Sequence, residues 1–219
     1  MKTFEDIKND KEIREYVEKS DIFLREIGFT EHSFAHVERV AKLAGDILET
    51  LGYSERECDL ARIAAFMHDI GNMINRVDHS HIAGIMSFTL LKERGFSPEE
   101  ISVVCNAIGN HDEKTGNPVS PVSAALILAD KSDVRRSRVR DKNFSLSDIH
   151  DRVNYAVTRS SLKLDLKKKE AVLKLSVDTE VSSVMDYFEI FLGRMLMCKR
   201  AAEYLGMQFR VIINETKVL

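Results

Sequence analysis

Four glycines, at positions 28, 52, 71 and 95, each close a stretch of apolar residues spaced at the helical period. A chain punctuated this regularly folds into short helices joined by tight turns. Ile13, Val17, Leu24 and Ile27 mark the first apolar face, and Gly28 lies just past its end. A second helix starts near Thr30 and turns Phe34, Val37, Ala41, Ala44 and Leu48 inward until Gly52. Ser54-x-x-Glu57 is a capping box opening a third, which runs to about Ile70 before Gly71. A fourth covers about Ser80 to Arg94. In Ser97-Pro98-Glu99-Glu100 an N-cap, a first-turn proline and a capping acid open a fifth. Ser120-Pro121 opens a sixth, which carries the apolar run Ala124 to Ala129 and then Asp130.

The pattern changes after about Asp151. Ser161 to Leu166 alternates with period two, as a half-buried strand does, and Ala171 to Val177 is a second strand beyond the lysines at 167–169. A helix from about Val181 to Leu205 stops at Gly206, and a strand follows through Phe209 to Ile213. Met195, Leu196 and Met197 in that helix are expected to pack on the hairpin. The expected architecture is mainly α: a helical bundle over 1–151, then a small α+β unit over 152–219 made of a β-hairpin, a helix and a strand. An edge strand there offers pairing between two copies, so a homodimer is one open arrangement.

Composition sets the class of partner. At 44% hydrophobic and 31% charged residues the chain supports a packed core. Its formal net charge of -3 gives no reason to expect a nucleic-acid partner. Cys58, Cys105 and Cys198 are far apart, which argues against a disulfide framework and against a thiolate zinc site. No stretch approaches the length of a membrane span, and the charged start Met1 to Asp6 is not a signal peptide. No membrane partner and a cytoplasmic address are therefore expected.

Six of the seven histidines lie between positions 32 and 111. His36 falls inside one helix, His68 and Asp69 at the end of another, His79 at the start of the next, His111 after the fifth and Asp130 near the end of the sixth. Ligands on separate elements of a bundle are how facing helices build an interior metal site. Imidazole and carboxylate suit Mn, Fe, Co, Ni or Zn, so one or two divalent ions are expected. His32 precedes His36 by four residues, one turn along the same helix; it is either a further ligand, a proton shuttle or an exposed residue at a capped helix start. His81 is read as lying in the outer shell of the site or in solvent, and His150 as a surface residue.

These stretches resemble the HD-domain metal-dependent phosphohydrolases. The likeness rests on His36-Val37-Glu38-Arg39-Val40, Phe66-Met67-His68-Asp69-Ile70-Gly71, Asp78-His79-Ser80, Asn110-His111-Asp112 and Leu128-Ala129-Asp130-Lys131. The resemblance implies that His36, His68, Asp69 and Asp130 bind one metal, and that Asp69 bridges to a second held by His79 and His111. Asp130 followed six residues later by Arg136 looks like the matching stretch of bacterial HD-domain diadenosine tetraphosphate hydrolases. Two departures stand out. Asn72 follows His-Asp-Ile-Gly where many relatives carry lysine, and the Gly-Tyr-Pro of cyclic-di-GMP phosphodiesterases is missing after Asp112.

Phosphate esters resist attack because their oxygens repel hydroxide; paired metal ions generate hydroxide near neutral pH and hold those oxygens. The expected activity is hydrolysis of a phosphoester or phosphoanhydride in a small-molecule phosphate substrate, a nucleotide by preference. Asp69 would be catalytic, with Lys131 and Arg136 as phosphate clamps drawn from the basic run between Lys131 and Lys142. Two rivals are a di-iron oxygenase on the same fold and a non-catalytic metal-binding ligand sensor.

Overall fold

The structure, a computed structural model, describes residues 2–140 and 149–219. Asp141 and Lys142 of the basic run lie outside the described residues. The helices are α1 (Phe4–Lys8), α2 (Lys11–Glu26), α3 (Phe34–Thr50), α4 (Glu55–Met67), α5 (His79–Glu93), α6 (Pro98–Gly109), α7 (Pro121–Lys131), α8 (Ile149–Ala156) and α9 (Val184–Tyr204). The strands are β1 (Val157–Asp165), β2 (Glu170–Val177), β3 (Gln208–Ile213) and β4 (Thr216–Lys217). A mainly helical bundle followed by a small α+β unit is the architecture expected.

Ser54 and Ser97 each accept from the backbone N–H three residues on, with Glu57 and Glu100 bonding back, so both capping boxes form. Gly28, Gly52 and Gly95 take the left-handed conformation that ends a helix. Gly71 does not. The third helix stops at Met67 rather than near Ile70, and Ile70–Met73 forms a 3-10 turn laid against α5. A Cβ on Gly71 would sit 2.1 Å from the His79 carbonyl oxygen and 2.6 Å from the Ala83 nitrogen. Glycine is required there for close approach, not for a turn.

That contact yields a prediction. Gly71→Ala must drive the turn away from the first turn of α5, at a cost of about 1–3 kcal/mol. A fall in Tm of roughly 5 °C and reduced metal content are expected, since His79 moves with α5. Unchanged Tm and metal content would show that the contact carries no weight.

α7 is buried along its length from Val122 to Lys131, as a helix apolar on all sides must be. It packs against α3, α4, α6 and α9 and forms the axis of the molecule. α9 lies between α7 and the sheet. Met195 and Met197 are therefore buried on its two covered sides, whereas Leu196, expected in the packing, faces solvent.

The sheet order is β1-β2-β3-β4. β1 and β2 form the expected hairpin, β3 joins β2 in parallel through the α9 crossover, and β4 pairs antiparallel to β3. Alternation puts Ala171, Leu173, Leu175 and Val177 inside on β2, and Phe209, Val211 and Ile213 inside on β3. The expected boundary at 151/152 falls within α8, which runs directly into β1. Buried apolar residues form one cluster from Ile7 to Ile213, continuous across it.

Candidate metal centre

Five imidazoles converge on two carboxylates. His36 comes from α3, His68 caps α4, His79 opens α5, His111 follows α6, and Asp130 lies near the end of α7. All are buried, as is Asp69. The fifth imidazole is His32. It lies before α3, whose N-cap is Ser33, so it is not on the His36 helix as expected. Its backbone N–H donates to Asp21 at 2.7 Å and its ring turns inward, leaving it buried rather than exposed.

Each ring is oriented the same way. The Nδ1 of His32 lies 2.7 Å from the Thr30 carbonyl, that of His68 2.7 Å from Ala65, that of His79 3.1 Å from Arg76 and that of His111 2.6 Å from Ile108. A carbonyl only accepts, so Nδ1 carries the proton in each, and Nε2 presents a lone pair inward. His36 repeats this with the Asp133 carboxylate at 2.8 Å. Burial pushes His32, His79 and His111 below the usual histidine range, so they stay neutral at neutral pH. At His68 burial also pulls down, but the Asp69 and Asp130 charges outweigh it and raise the pKa.

The lone pairs have no donor among the described residues. His36 Nε2 and His68 Nε2 are buried without a hydrogen bond. His79 Nε2 and His111 Nε2 approach to 3.2 Å, two lone pairs face to face. Such an arrangement is unfavourable in itself and is what a shared cation would relieve.

Asp69 divides the cluster. Its Oδ2 is 3.2 Å from His68 Nε2 and 4.0 Å from both His32 and His36; its Oδ1 is 3.6 Å from His79 and 3.8 Å from His111. Asp130 Oδ1 is 3.4 Å from His36 and 3.7 Å from His68. Ligands held about 2.1 Å from one ion at tetrahedral angles lie about 3.4 Å apart, so these spacings fit a cation. Among the described residues, two groups have their donor atoms close enough to hold one: His36, His68 and Asp130, and His68, Asp69 and His111. Both carboxyls resist the cost of burial because the surrounding groups, His68 for Asp69 and Lys131 for Asp130, hold them well below the usual carboxylate range.

Both expected phosphate clamps are engaged with protein partners. Lys131 Nζ is buried between Asp130 Oδ2 at 2.7 Å and Glu113 at 3.0 Å, so it neutralises and fixes the metal-facing carboxylate. Arg136 donates to the Tyr155 carbonyl at 2.6 Å and to Asp178 at 3.1 Å, on the wall of a different cavity. The side chain carrying the diadenosine tetraphosphate likeness therefore does not join the cluster. The cations at the mouth are ones sequence reasoning missed. A cavity of about 390 Å³ reaches His79 and is lined by Arg76 and Arg194. Asn72 donates to Asp69 Oδ1 at 2.9 Å while its own Oδ1 accepts from Arg76 at 3.1 Å. The position where relatives carry lysine thus holds a relay to an arginine one turn on. Arg194 reaches the cavity from α9 and could not have been placed without the crossover.

His81 and His150 are exposed, as expected. Burial pushes the thiols up, Cys105 to about 11 and Cys198 to about 12, so neither offers a thiolate ligand. No described helix is long and apolar enough to cross a membrane.

The family model described as "HD domain" matches residues 33–175. Among solved structures, the chain is similar to a predicted HD superfamily hydrolase from an uncultured Thermotogales bacterium. The identity is 26% and the TM-score 0.46, over 57% of this chain and 68% of that one. No curated protein matches the sequence. With the histidine and aspartate set in place and the family match spanning well over half of the 219 residues, the chain belongs to the HD domain family.

Proposed function

We propose that the chain is a divalent-metal-dependent phosphohydrolase acting on a small molecule, a nucleotide by preference. The observation that carries the reading is the set of inward lone pairs on His36, His68, His79 and His111 around Asp69 and Asp130. His36, His68, Asp69 and Asp130 would hold one ion, and His79 and His111 a second, with one Asp69 oxygen turned to each. His32 is a candidate further ligand. Bound ions of this class lower the pKa of water and take up charge from phosphoryl oxygens.

The chain's own residues do the rest. Asp133 fixes the His36 ring through Nδ1. Lys131 holds Asp130, and Asn72 holds Asp69. Arg76 and Arg194 bind the phosphate that enters the cavity and stabilise the charge that builds up on it. Arg76 lies over the Phe29 ring and Arg194 over that of Phe191, and both rings line the same cavity. Such flat apolar surfaces beside cations suit a base attached to the phosphate.

The test is phosphate or nucleotide release from nucleotides, dinucleoside polyphosphates and sugar phosphates by protein loaded with Mn or Fe(II). Turnover is expected with at least one class. Arg76→Ala and Arg194→Ala should each raise KM about 10-fold or more, the loss of one charge-assisted hydrogen bond. Silence across the panel from metal-replete protein would refute the proposal and favour the sensor. Substrate-dependent oxygen uptake would favour the oxygenase.

A further inference from the structure

A second cavity, of about 710 Å³, opens where the 3-10 turn Arg136–Arg138, α3, α8 and β1 meet. Its lining includes Arg39, Arg135, Arg136 and Arg159 and, among the described residues, no carboxylate. Among the described residues it shares no lining residue with the cavity that reaches His79.

Arginines gather for two reasons, to brace the fold or to receive an anion, and here the individual nitrogens separate them. Arg135 is a brace: its Nε is 2.9 Å from Asp133, its Nη1 2.6 Å from Ser137 and its Nη2 3.4 Å from Glu31. Arg39 pairs its Nε with Asp133 at 3.0 Å and donates Nη2 to the Ser160 carbonyl at 3.3 Å. Arg136 uses Nε and Nη2 on Tyr155 and Asp178, and its guanidinium lies 4.4 Å from the centre of the Tyr155 ring. The Nη1 nitrogens of Arg39 and Arg136 have no protein partner among the described residues. Arg159 is exposed on β1 and has none for any of its nitrogens.

Among the described residues, three carboxylates, Glu31, Asp133 and Asp178, stand behind the four guanidinium groups, and Arg159 pairs with none of them. Arg39 and Arg136 are held in place with donors to spare, which lowers the cost of ordering them around a ligand. Guanidinium N–H pairs match phosphate oxygens, and the cavity volume is that of a small-molecule site rather than a polymer track. The net charge of -3 gives a nucleic acid no long-range attraction.

We propose that this cavity is a second ligand site, separate from the metal cluster, that binds the phosphate groups of a small phosphorylated molecule.

The probe is labelled inorganic tripolyphosphate, measured by equilibrium dialysis against the full chain in EDTA. EDTA strips the histidine cluster of divalent ions, which leaves Arg76 and Arg194 as the phosphate donors of the other cavity, and Arg194→Ala reports on them. The parent is expected to bind one equivalent. Arg159→Glu should weaken binding at least tenfold, and Arg39→Ala in the same direction, while Arg194→Ala at the other cavity leaves it unchanged. Arg159 is exposed on a sheet edge, so its replacement spares the core, and thermal unfolding checks this. No binding by the parent, full binding by Arg159→Glu, or loss in Arg194→Ala would each overturn the proposal. Tighter binding of a single-stranded oligonucleotide than of tripolyphosphate would overturn it in favour of a polymer. No outcome depends on turnover, so this site and the hydrolase reading stand or fall separately.

Discussion

Asp69→Ala is expected to lose bound metal and to cut kcat/KM on the order of 10³-fold or more, because one side chain serves both halves of the cluster. Its Oδ2 faces His68 and its Oδ1 faces His79 and His111, so no neighbour can take over both roles. Asp130 cannot move across, since Lys131 holds its second oxygen. Asp69→Asn keeps the shape and removes the charge, and should also lose metal, because a neutral amide is a poor ligand for a hard cation. Metal per chain by elemental analysis, alongside turnover of the best substrate, reads the outcome. A variant that keeps both at the parent's level would remove Asp69 from the site.

The second large effect lies one layer out. Asp133 is 3% exposed, yet it accepts from His36 Nδ1 and pairs with Arg39 and Arg135. Its backbone carbonyl accepts from the buried Arg138 at 2.9 Å, and its carboxylate is 3.9 Å from the same guanidinium. Asp133→Ala leaves those cations facing an empty space, and unpairing a buried charge costs about 3–5 kcal/mol. Tm should fall by roughly 10 °C, and metal affinity by about 10–100-fold, because the His36 ring loses its anchor. Burial alone would raise the Asp133 pKa, but the His36 hydrogen bond and the Arg138 and Arg135 charges hold it well below the usual range. Its contribution is therefore complete at neutral pH and erodes only in acid, below about pH 4 where the unfolded carboxyl titrates. Asp133→Asn, which still accepts from His36, should recover part of the metal affinity but not the stability. An alanine variant that unfolds within about 1 kcal/mol of the parent would refute this account.

The helices were legible because their ends are written locally. Ser54, Ser97 and Ser120 act on backbone groups within three residues, and Gly28, Gly52 and Gly95 on the turn just before them. Gly71 misled because a glycine needed for contact with another helix reads the same as one needed for a turn. The ligand set was legible by resemblance and residue type. Its shaping was not: His32 reaches the cluster through an extended lead-in held by Asp21, and Asp133 acts across 97 positions of sequence. The cationic mouth was mislocated because charge near a ligand in sequence carries no direction. Lys131 spends its charge on Asp130 itself and on Glu113, and Arg136 on Asp178; Arg194, far from Asp130 in sequence, pairs with Glu113 at 3.5 Å and lines the cavity.

α9 separates two jobs that an enzyme usually entangles. The inward-facing histidines and aspartates come from residues up to Asp130, whereas Arg194, one of the two arginines lining the cavity at His79, arrives on a helix that also seats the sheet. On the proposed reading, substitutions at the exposed Leu192 and Gly193 beside Arg194 are expected to change what the cavity admits while leaving the ligands beneath it in place.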